Sequence, residues 1–226
     1  MNEPAAIRSI LPPEVVAVDT FHDAHDGMLF AAEEKAVSRS VDKRRNEFTT
    51  ARICARRAMK LLGVPEQPIL RGDQGEPKWP AGLVGSITHC AGYRGAVLAP
   101  RGDVVTLGID AEPDDALTNG VLDAISLPEE RLALQKLARK HPGVAWDRLL
   151  FSAKEAVYKA WFPLTKRWLD FEDAMVTIDP DNGRFTAALK VKGPYVSGAQ
   201  LTGFSGRWIA TNGLLLAAIV VPAQSR

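Results

Sequence analysis

Hydrophobic periodicity switches from helical to strand-like twice along this chain, and that repeated order of helix followed by strands suggests a duplicated mixed architecture. From Met28 to Leu62 apolar residues recur at helical intervals through "MLFAAEEKAVSRSVDKRRNEFTTARICARRAMKLLG", until Gly63 and Pro65 stop the pattern. One long helix or two shorter ones fit. A loop dense in Gly and Pro follows, "RGDQGEPKWPAG", then strand-like runs in "GLVGSITH", "GAVLA" and "DVVTLGIDAEP". A polar connection, "PDDALTNGVLDAISLPEERLA", leads to a second helical region through "WDRLLFSAKEAVYKAWF", which Pro163 is expected to end. Strands are then expected in "DAMVTID", "RFTAALKV" and "GLLLAAIVV", with "PDNG" as a tight turn between the first two. Helix followed by strands is thus read twice, with a seam expected near residues 100 to 106. No residue-level repeat accompanies it.

Composition excludes several classes. With 226 residues, 46% hydrophobic and 24% charged, the chain can bury an adequate core in one large domain or two small ones. Lys and Arg total 28 against 27 for Asp and Glu, so overall charge predicts no polyanionic partner. The opening "MNEPAAIRSILPPEVV" carries an early acid and prolines where a signal peptide would be basic and then apolar, and a cytoplasmic location is expected. The apolar run "LLLAAIVV" at 214 to 221 is far short of the ~20 residues that span a bilayer and reads as a buried strand. Cys54 and Cys90 lie in no CxxC pattern and are expected to be reduced thiols.

Three features carry chemistry. In "LGIDAEP" the strand period of two puts Asp110 and Glu112 on one face, with Gly108 beside them leaving room for an approaching group. Two carboxylates there can converge on one hard cation, or the strand can simply end at Pro113 in an acidic turn. In "FSAKEAVYK" the residues Lys154, Glu155 and Lys159 crowd one helix. A solvated face with a Glu155 to Lys159 pair accounts for them, worth only about 0.2–0.5 kcal/mol. So does a site in which Glu155 joins Asp110 and Glu112 around Mg²⁺ while the lysines meet an anionic substrate. The third feature is local basicity: Arg39, Lys43, Arg44, Arg45, Arg52, Arg56, Arg57 and Lys60 stand against only Asp42 and Glu47 in residues 39 to 60. Arg44 and Arg52, with Phe48 between them, are spaced to present neighbouring guanidinium groups suited to phosphate. A ligand-free surface helix and a nucleic-acid patch are the other readings of that segment, and no nucleic-acid motif supports the latter.

His89, in "GSITHC", is placed either to reach a ligand from a strand end or to sit buried and satisfied. His22 and His25 in "HDAH" lack a third metal ligand nearby. Trp79, Trp146, Trp161, Trp168 and Trp208 read as core and rim aromatics. No GxSxG, P-loop or Rossmann glycine pattern occurs.

Taken together, "LGIDAEP", then "FSAKEAVYKAW" some forty residues later, with "GSITH" upstream, resembles the Sfp-type 4′-phosphopantetheinyl transferases, whose signature is G-[IV]-D-x-E followed by [FW]-[SCT]-x-K-E-[AS]-x-x-K. Every position of the signature is matched. The blocks "KRRNEFTTAR", "RGDQGEPKWP", "GSITHCAGYRGAV" and "KAWFPLTKRWLDFEDA" look closest to the PptT-like branch, so the resemblance covers roughly residues 40 to 180. Ala51 stands where the family often has glycine, and Arg71 where a lysine is common.

The resemblance implies an α+β fold of two similar subdomains related by a pseudo-twofold, residues 1–103 and 104–226, with coenzyme A in the cleft between them and the chain acting as a monomer. It implies Mg²⁺-dependent, or Mn²⁺-supported, transfer of phosphopantetheine from coenzyme A to a serine of acyl and peptidyl carrier proteins, with no nucleic-acid or membrane partner. By position, Asp110, Glu112 and Glu155 would hold the metal ion. Arg44, Arg52, Arg71 and His89 would hold the 3′-phosphate and its surroundings, with Gly72, Glu76, Pro77, Ser86 and Thr88 near the nucleotide. Lys154 and Lys159 would bind the pyrophosphate, with Asp110, Lys159 and Glu155 catalytic and Glu155 taking the serine proton. Lys166 and Arg167 are candidates for docking an acidic carrier, although a solvated turn also explains them. Two other readings of the residues stay open. A different Mg²⁺-dependent nucleotidyl or phosphoryl transferase would use the same groups, and a basic nucleic-acid-binding module would leave the three carboxylates without purpose.

Overall fold

Two antiparallel sheets, each covered by one 20-residue helix, make up the body of a computed structural model that describes residues 5–24 and 27–224. His25 lies outside the described residues. The first sheet orders its strands β1 (Val16–Thr20), β5 (Tyr93–Pro100), β4 (Leu83–Cys90). The second orders them β6 (Val104–Pro113), β12 (Leu214–Pro222), β11 (Gly203–Thr211), β8 (Arg184–Leu189), β7 (Ala174–Asp179). In both, the first strand of the unit pairs with the last, and the last with the one before it. In both, the long helix follows the first strand: α2 (Asp42–Leu61) after β1 and α5 (Trp146–Thr165) after β6. The chain is therefore α+β in two subdomains of one plan. Short pairs β2 (Leu70–Arg71) with β3 (Pro77–Lys78), and β9 (Tyr195–Val196) with β10 (Ala199–Gln200), ornament the loops.

The helical pattern from Met28 to Leu62 resolves into two helices, α1 (Ala31–Val37) and α2. Two elements lie in what the sequence reads as a connection: α3 (Val121–Ile125) and α4 (Pro128–Lys140). Proline at the first position of α4 costs nothing there, because that N–H has no intrahelical acceptor, and Glu130 caps the same turn. Helix α5 runs through Pro163 to Thr165, because a proline so near the end of a helix disturbs only its last turn. Strand β11, not expected from the sequence, completes the second sheet. Among the described residues, no helix is long and apolar enough to cross a membrane.

Two contacts join the subdomains. Strand β4 runs parallel beside β6 without a backbone ladder, and its hydroxyls take the place of carbonyls: Ile109 N donates to Ser86 Oγ at 3.1 Å and Ala111 N to Thr88 Oγ1 at 3.0 Å. Near the N-terminus, Ile7 and Ile10 in a 3₁₀ turn (Ala6–Ile10) pack with Leu214, Leu216 and Ala218 of β12. Ile7 and Ile10 are thus built into the same core as β12.

Candidate active site

The fold places β6 between α5 on one face and β4 at its edge, and this fixes the acidic residues. Ile109 and Ala111 are fully buried in the core, so Asp110 and Glu112 point together to the opposite face, as the strand period predicts. Gly108 shares their face, but the group that approaches it is not a ligand. A Cβ there would collide with the Ala156 carbonyl and the Ala160 amide of α5, so the glycine exists to let helix and strand touch. Thr106 Oγ1 donates to Ala160 O at 2.8 Å and reinforces the approach. Helix α5 is thereby held close enough for Glu155 and Lys159, one turn apart, to stand over Asp110.

Both residues line one cleft of about 700 Å³ together with Asp110 and Glu112. Lys159 Nζ donates to Asp110 Oδ1 at 2.7 Å, and Thr88 Oγ1 donates to the same oxygen at 3.2 Å. Asp110 Oδ2 is buried and, among the described residues, has no hydrogen-bond partner. Such an oxygen is costly unless something cationic meets it. Burial, and then the Asp110 carboxylate, pushes the Glu112 carboxyl above its ordinary range, with Arg148 working against the rise. Glu155 is pushed up first by burial, and Asp110 adds to this while Lys159 opposes it. Asp110 raises both glutamates, and a set of oxygen donors of this kind around a buried orphan oxygen fits a hard divalent cation. Among the described residues no three His, Cys, Asp or Glu side chains stand at metal-ligating spacing.

The opposite wall is basic. Arg44 Nη1 lies 2.6 Å from His89 Nε2, which makes that nitrogen an acceptor and the imidazole neutral. Burial, and then the Arg44 charge, hold His89 below its usual pKa. Arg52 lies 4.0 Å above the Phe48 ring and donates through Nε to Ile69 O, while burial lowers its pKa to about 10. Phe48 thus shelves Arg52 on one side only. Arg71, Glu76 and Pro77 reach the cleft from the β2–β3 turn, which Gly72 N closes by donating to Glu76 O at 2.7 Å. Gly72 itself stands behind the cleft wall. Ser86 and Thr88 line the floor with their hydroxyls already turned to β6.

Lys154 departs from its expected place. Its ammonium is 2.8 Å from Glu130 and donates to the carbonyls of Phe171 and Ala174, and it is 4% exposed on the side of α5 away from the cleft. Glu130 also accepts from Leu127 N and Val176 N, so one buried ion pair ties α4, α5 and β7 together. A helix cannot aim residues 154 and 155 at one ligand, since adjacent positions are about 100° apart. Two cleft residues and one beside the cleft are given no role there by sequence reasoning. Trp79 donates from Nε1 to Gly85 O and lies flat over that glycine, and Arg101 lines the same mouth. Arg148 bonds Glu112 and stands seven residues before Glu155, two turns along one stripe, a spacing that could have revealed it.

Residues 32–99 match the 4′-phosphopantetheinyl transferase N-terminal domain, and residues 106–210 match the 4′-phosphopantetheinyl transferase superfamily. The 4′-phosphopantetheinyl transferase Svp of Streptomyces mobaraensis is 52% identical over 222 residues, covering 97% of this chain and 90% of that protein. The chain belongs to the 4′-phosphopantetheinyl transferase superfamily. The transferase PptT of Mycobacterium tuberculosis is 53% identical over 224 residues, 95% of this chain and 97% of that protein. Npt of Nocardia iowensis, also named a 4′-phosphopantetheinyl transferase, is 45% identical over 221 residues, 94% and 98% respectively. Membership in the PptT-like branch follows from these near full-length matches. The two matched segments of this transferase are separated by residues 100–105, where the first sheet ends and β6 begins.

Proposed function

We propose that this transferase moves the phosphopantetheine arm of coenzyme A onto a serine hydroxyl of an acyl or peptidyl carrier protein and releases adenosine 3′,5′-bisphosphate, with Mg²⁺ or Mn²⁺ bound. The observation that carries the reading is the polarity of one cleft: Arg44, Arg52 and His89 line one wall, and Asp110, Glu112 and Glu155 the other. A substrate with a phosphate at one end and a metal-bound pyrophosphate at the other suits that division. Residues 1–103 then form the nucleotide side and residues 104–226 the metal side, and a single copy of the chain, in the cytoplasm, suffices.

Arg44 keeps N–H groups free beyond the one it directs at His89, and both can turn to a 3′-phosphate, with Arg52 and Arg71 adding charge behind them. The loop of Gly72, Glu76 and Pro77 borders the base. Asp110, Glu112 and Glu155 would hold the divalent cation, which supplies neutralisation of the charge that develops on pyrophosphate oxygens. Lys159, with two N–H groups beyond its bond to Asp110, donates to the same oxygens. Serine attack on the β-phosphorus forms a P–O bond, breaks the bond to the bridging oxygen, and leaves the electron pair on the departing nucleotide. The serine proton passes to Glu155, whose raised pKa makes it a better base than an exposed carboxylate. Lys154 takes no part in pyrophosphate binding in this scheme.

Lys166 and Arg167 stand at the end of α5. Lys166, 65% exposed, lies 3.5 Å from Glu76 across the cleft mouth, and Arg167 donates to Lys192 O. Both can meet an acidic carrier as it delivers its serine. The test is mass spectrometry of an apo carrier protein incubated with the enzyme, coenzyme A and Mg²⁺, beside an EDTA control and Glu155→Ala. One added phosphopantetheine, absent from both controls, is expected. No addition on several unrelated carriers would remove the transferase reading, and addition that survives EDTA would remove the metal site.

A further inference from the structure

Each carboxylate of β6 meets a cation from α5, one at either end of the helix. Asp110 Oδ1 accepts from Lys159 Nζ, and among the described residues Oδ2 accepts nothing. Glu112 does the same with a different partner: Oε2 accepts from Arg148 Nη1 at 3.0 Å, and among the described residues Oε1 accepts nothing. We infer that Arg148 is the positioning residue of Glu112, pinning one carboxylate oxygen so that the other is presented to the divalent cation. The inference rests on the proposed metal site.

The geometry of the guanidinium excludes two simpler roles. Nε donates to Asp115 O at 3.0 Å and Nη2 to Ala116 O at 3.1 Å, so the fork is fixed on three acceptors in two directions. It is not a mobile hook for substrate phosphate. Nor is it a loose surface pair, which would contribute almost nothing: its side chain and that of Glu112 are 21% and 18% exposed. The loop it grips is itself tied to the start of α5, through Ala145 N to Asp114 Oδ1 at 2.8 Å and Leu117 N to Asp147 Oδ2 at 2.9 Å. Arg148 therefore transmits a rigid frame to Glu112. Partners of this kind around ligating groups typically change metal affinity by about 10–100-fold when removed.

Charge alone predicts the opposite sign. A fixed cation beside a cation site weakens metal binding by repulsion, so its removal should tighten binding. Positioning predicts that removal loosens it. The experiment measures free Mn²⁺ by electron paramagnetic resonance during titration of the full-length protein, with and without coenzyme A. Wild type, Arg148→Gln, Arg148→Lys, Glu112→Gln and the Arg148→Gln/Glu112→Gln double variant are compared. Expected is a loss of about tenfold in Mn²⁺ affinity for Arg148→Gln and partial recovery with Arg148→Lys, which cannot reach all three acceptors. In the Glu112→Gln background the loss should vanish, while coenzyme A binding without metal stays at its wild-type value. Unchanged or tighter Mn²⁺ binding in Arg148→Gln, or an equal loss in both backgrounds, overturns the inference alone. Wild-type protein that binds no Mn²⁺ in any condition overturns the metal reading and this inference with it.

Discussion

The two long helices bring charge to the same cleft in opposite ways. Helix α2 presents arginines that are only partly paired: Arg44 lies 2.6 Å from the neutral His89 and 3.5 Å from Glu47, and Arg52 is depressed by burial and by Arg71, Arg44 and Arg56 despite the pull of Glu33. Helix α5 presents cations already matched to β6 carboxylates, Lys159 to Asp110 and Arg148 to Glu112. One wall keeps an excess of positive charge that its own acids offset only in part, and an anion can offset the rest. The other is nearly neutral and orders its acids for a cation. A single subdomain plan thus serves both ends of a phosphorylated substrate, because the sign and the pairing of the side chains on the helix decide which end it takes.

The comparison breaks first at the acidic wall. Glu155→Gln should lower carrier modification by about 10²–10³-fold, read by mass spectrometry under initial-rate conditions. The same variant should be more stable than wild type when metal is absent. A carboxyl raised in the folded state contributes stability that is present below its unfolded pKa and lost as pH rises through the raised value. Removing the acid should therefore raise Tm at neutral pH by about 2–4 °C, equivalent to about 1 kcal/mol. A lower Tm would mean that Glu155 is held by its surroundings rather than strained by them.

Within α5, Lys154→Met and Lys159→Met separate framework from chemistry. The first leaves Glu130 buried and unpaired and should cost about 3–5 kcal/mol, seen as a loss of about 10 °C in Tm that neither Mg²⁺ nor coenzyme A restores. The second opens onto a cleft where a divalent cation can stand in for the lost charge. Its Tm should recover with Mg²⁺ and coenzyme A while turnover stays down by about 10²-fold. On the basic wall, Arg44→Ala should raise KM for coenzyme A by about tenfold and leave KM for 3′-dephospho-coenzyme A unchanged, in line with loss of one charge-assisted contact. Equal effects on both substrates would place Arg44 away from the 3′-phosphate. The smallest effect belongs to His89. Its depressed pKa gives stability that is present above its unfolded pKa of 6.5 and lost as pH falls through the lowered value. His89→Gln should flatten that acid limb of a Tm-against-pH profile, and a limb of unchanged slope would show that the imidazole is not held neutral.

Strand period alone placed Asp110 and Glu112 on one face, because Ile109 and Ala111 had to be buried. Helical spacing put Glu155 and Lys159 together for the same kind of reason. The failure at Lys154 was one of partners rather than of pattern. Its counter-ion, Glu130, comes from α4, a helix whose polar, proline-bearing start reads as a loop until its cap is seen. Gly108 was legible as a close approach, but which group approaches depends on how α5 crosses β6. Residues 5–24 carry no strong period, and β1 becomes a strand only by pairing with β5. Tertiary contacts set those elements.

Strand β12 is the inner neighbour of β6, with Ala217 directly across from Asp110, and its other edge carries β11. A ribosome delivers it after every other strand of both sheets. Until then the strand bearing Asp110 and Glu112 has an open edge, and Ile7 and Ile10 lack part of the surface they cover. Contacts between the start of the first subdomain and the second sheet therefore close only once β12 is in place, and a chain truncated before Leu214 should fail to fold cooperatively.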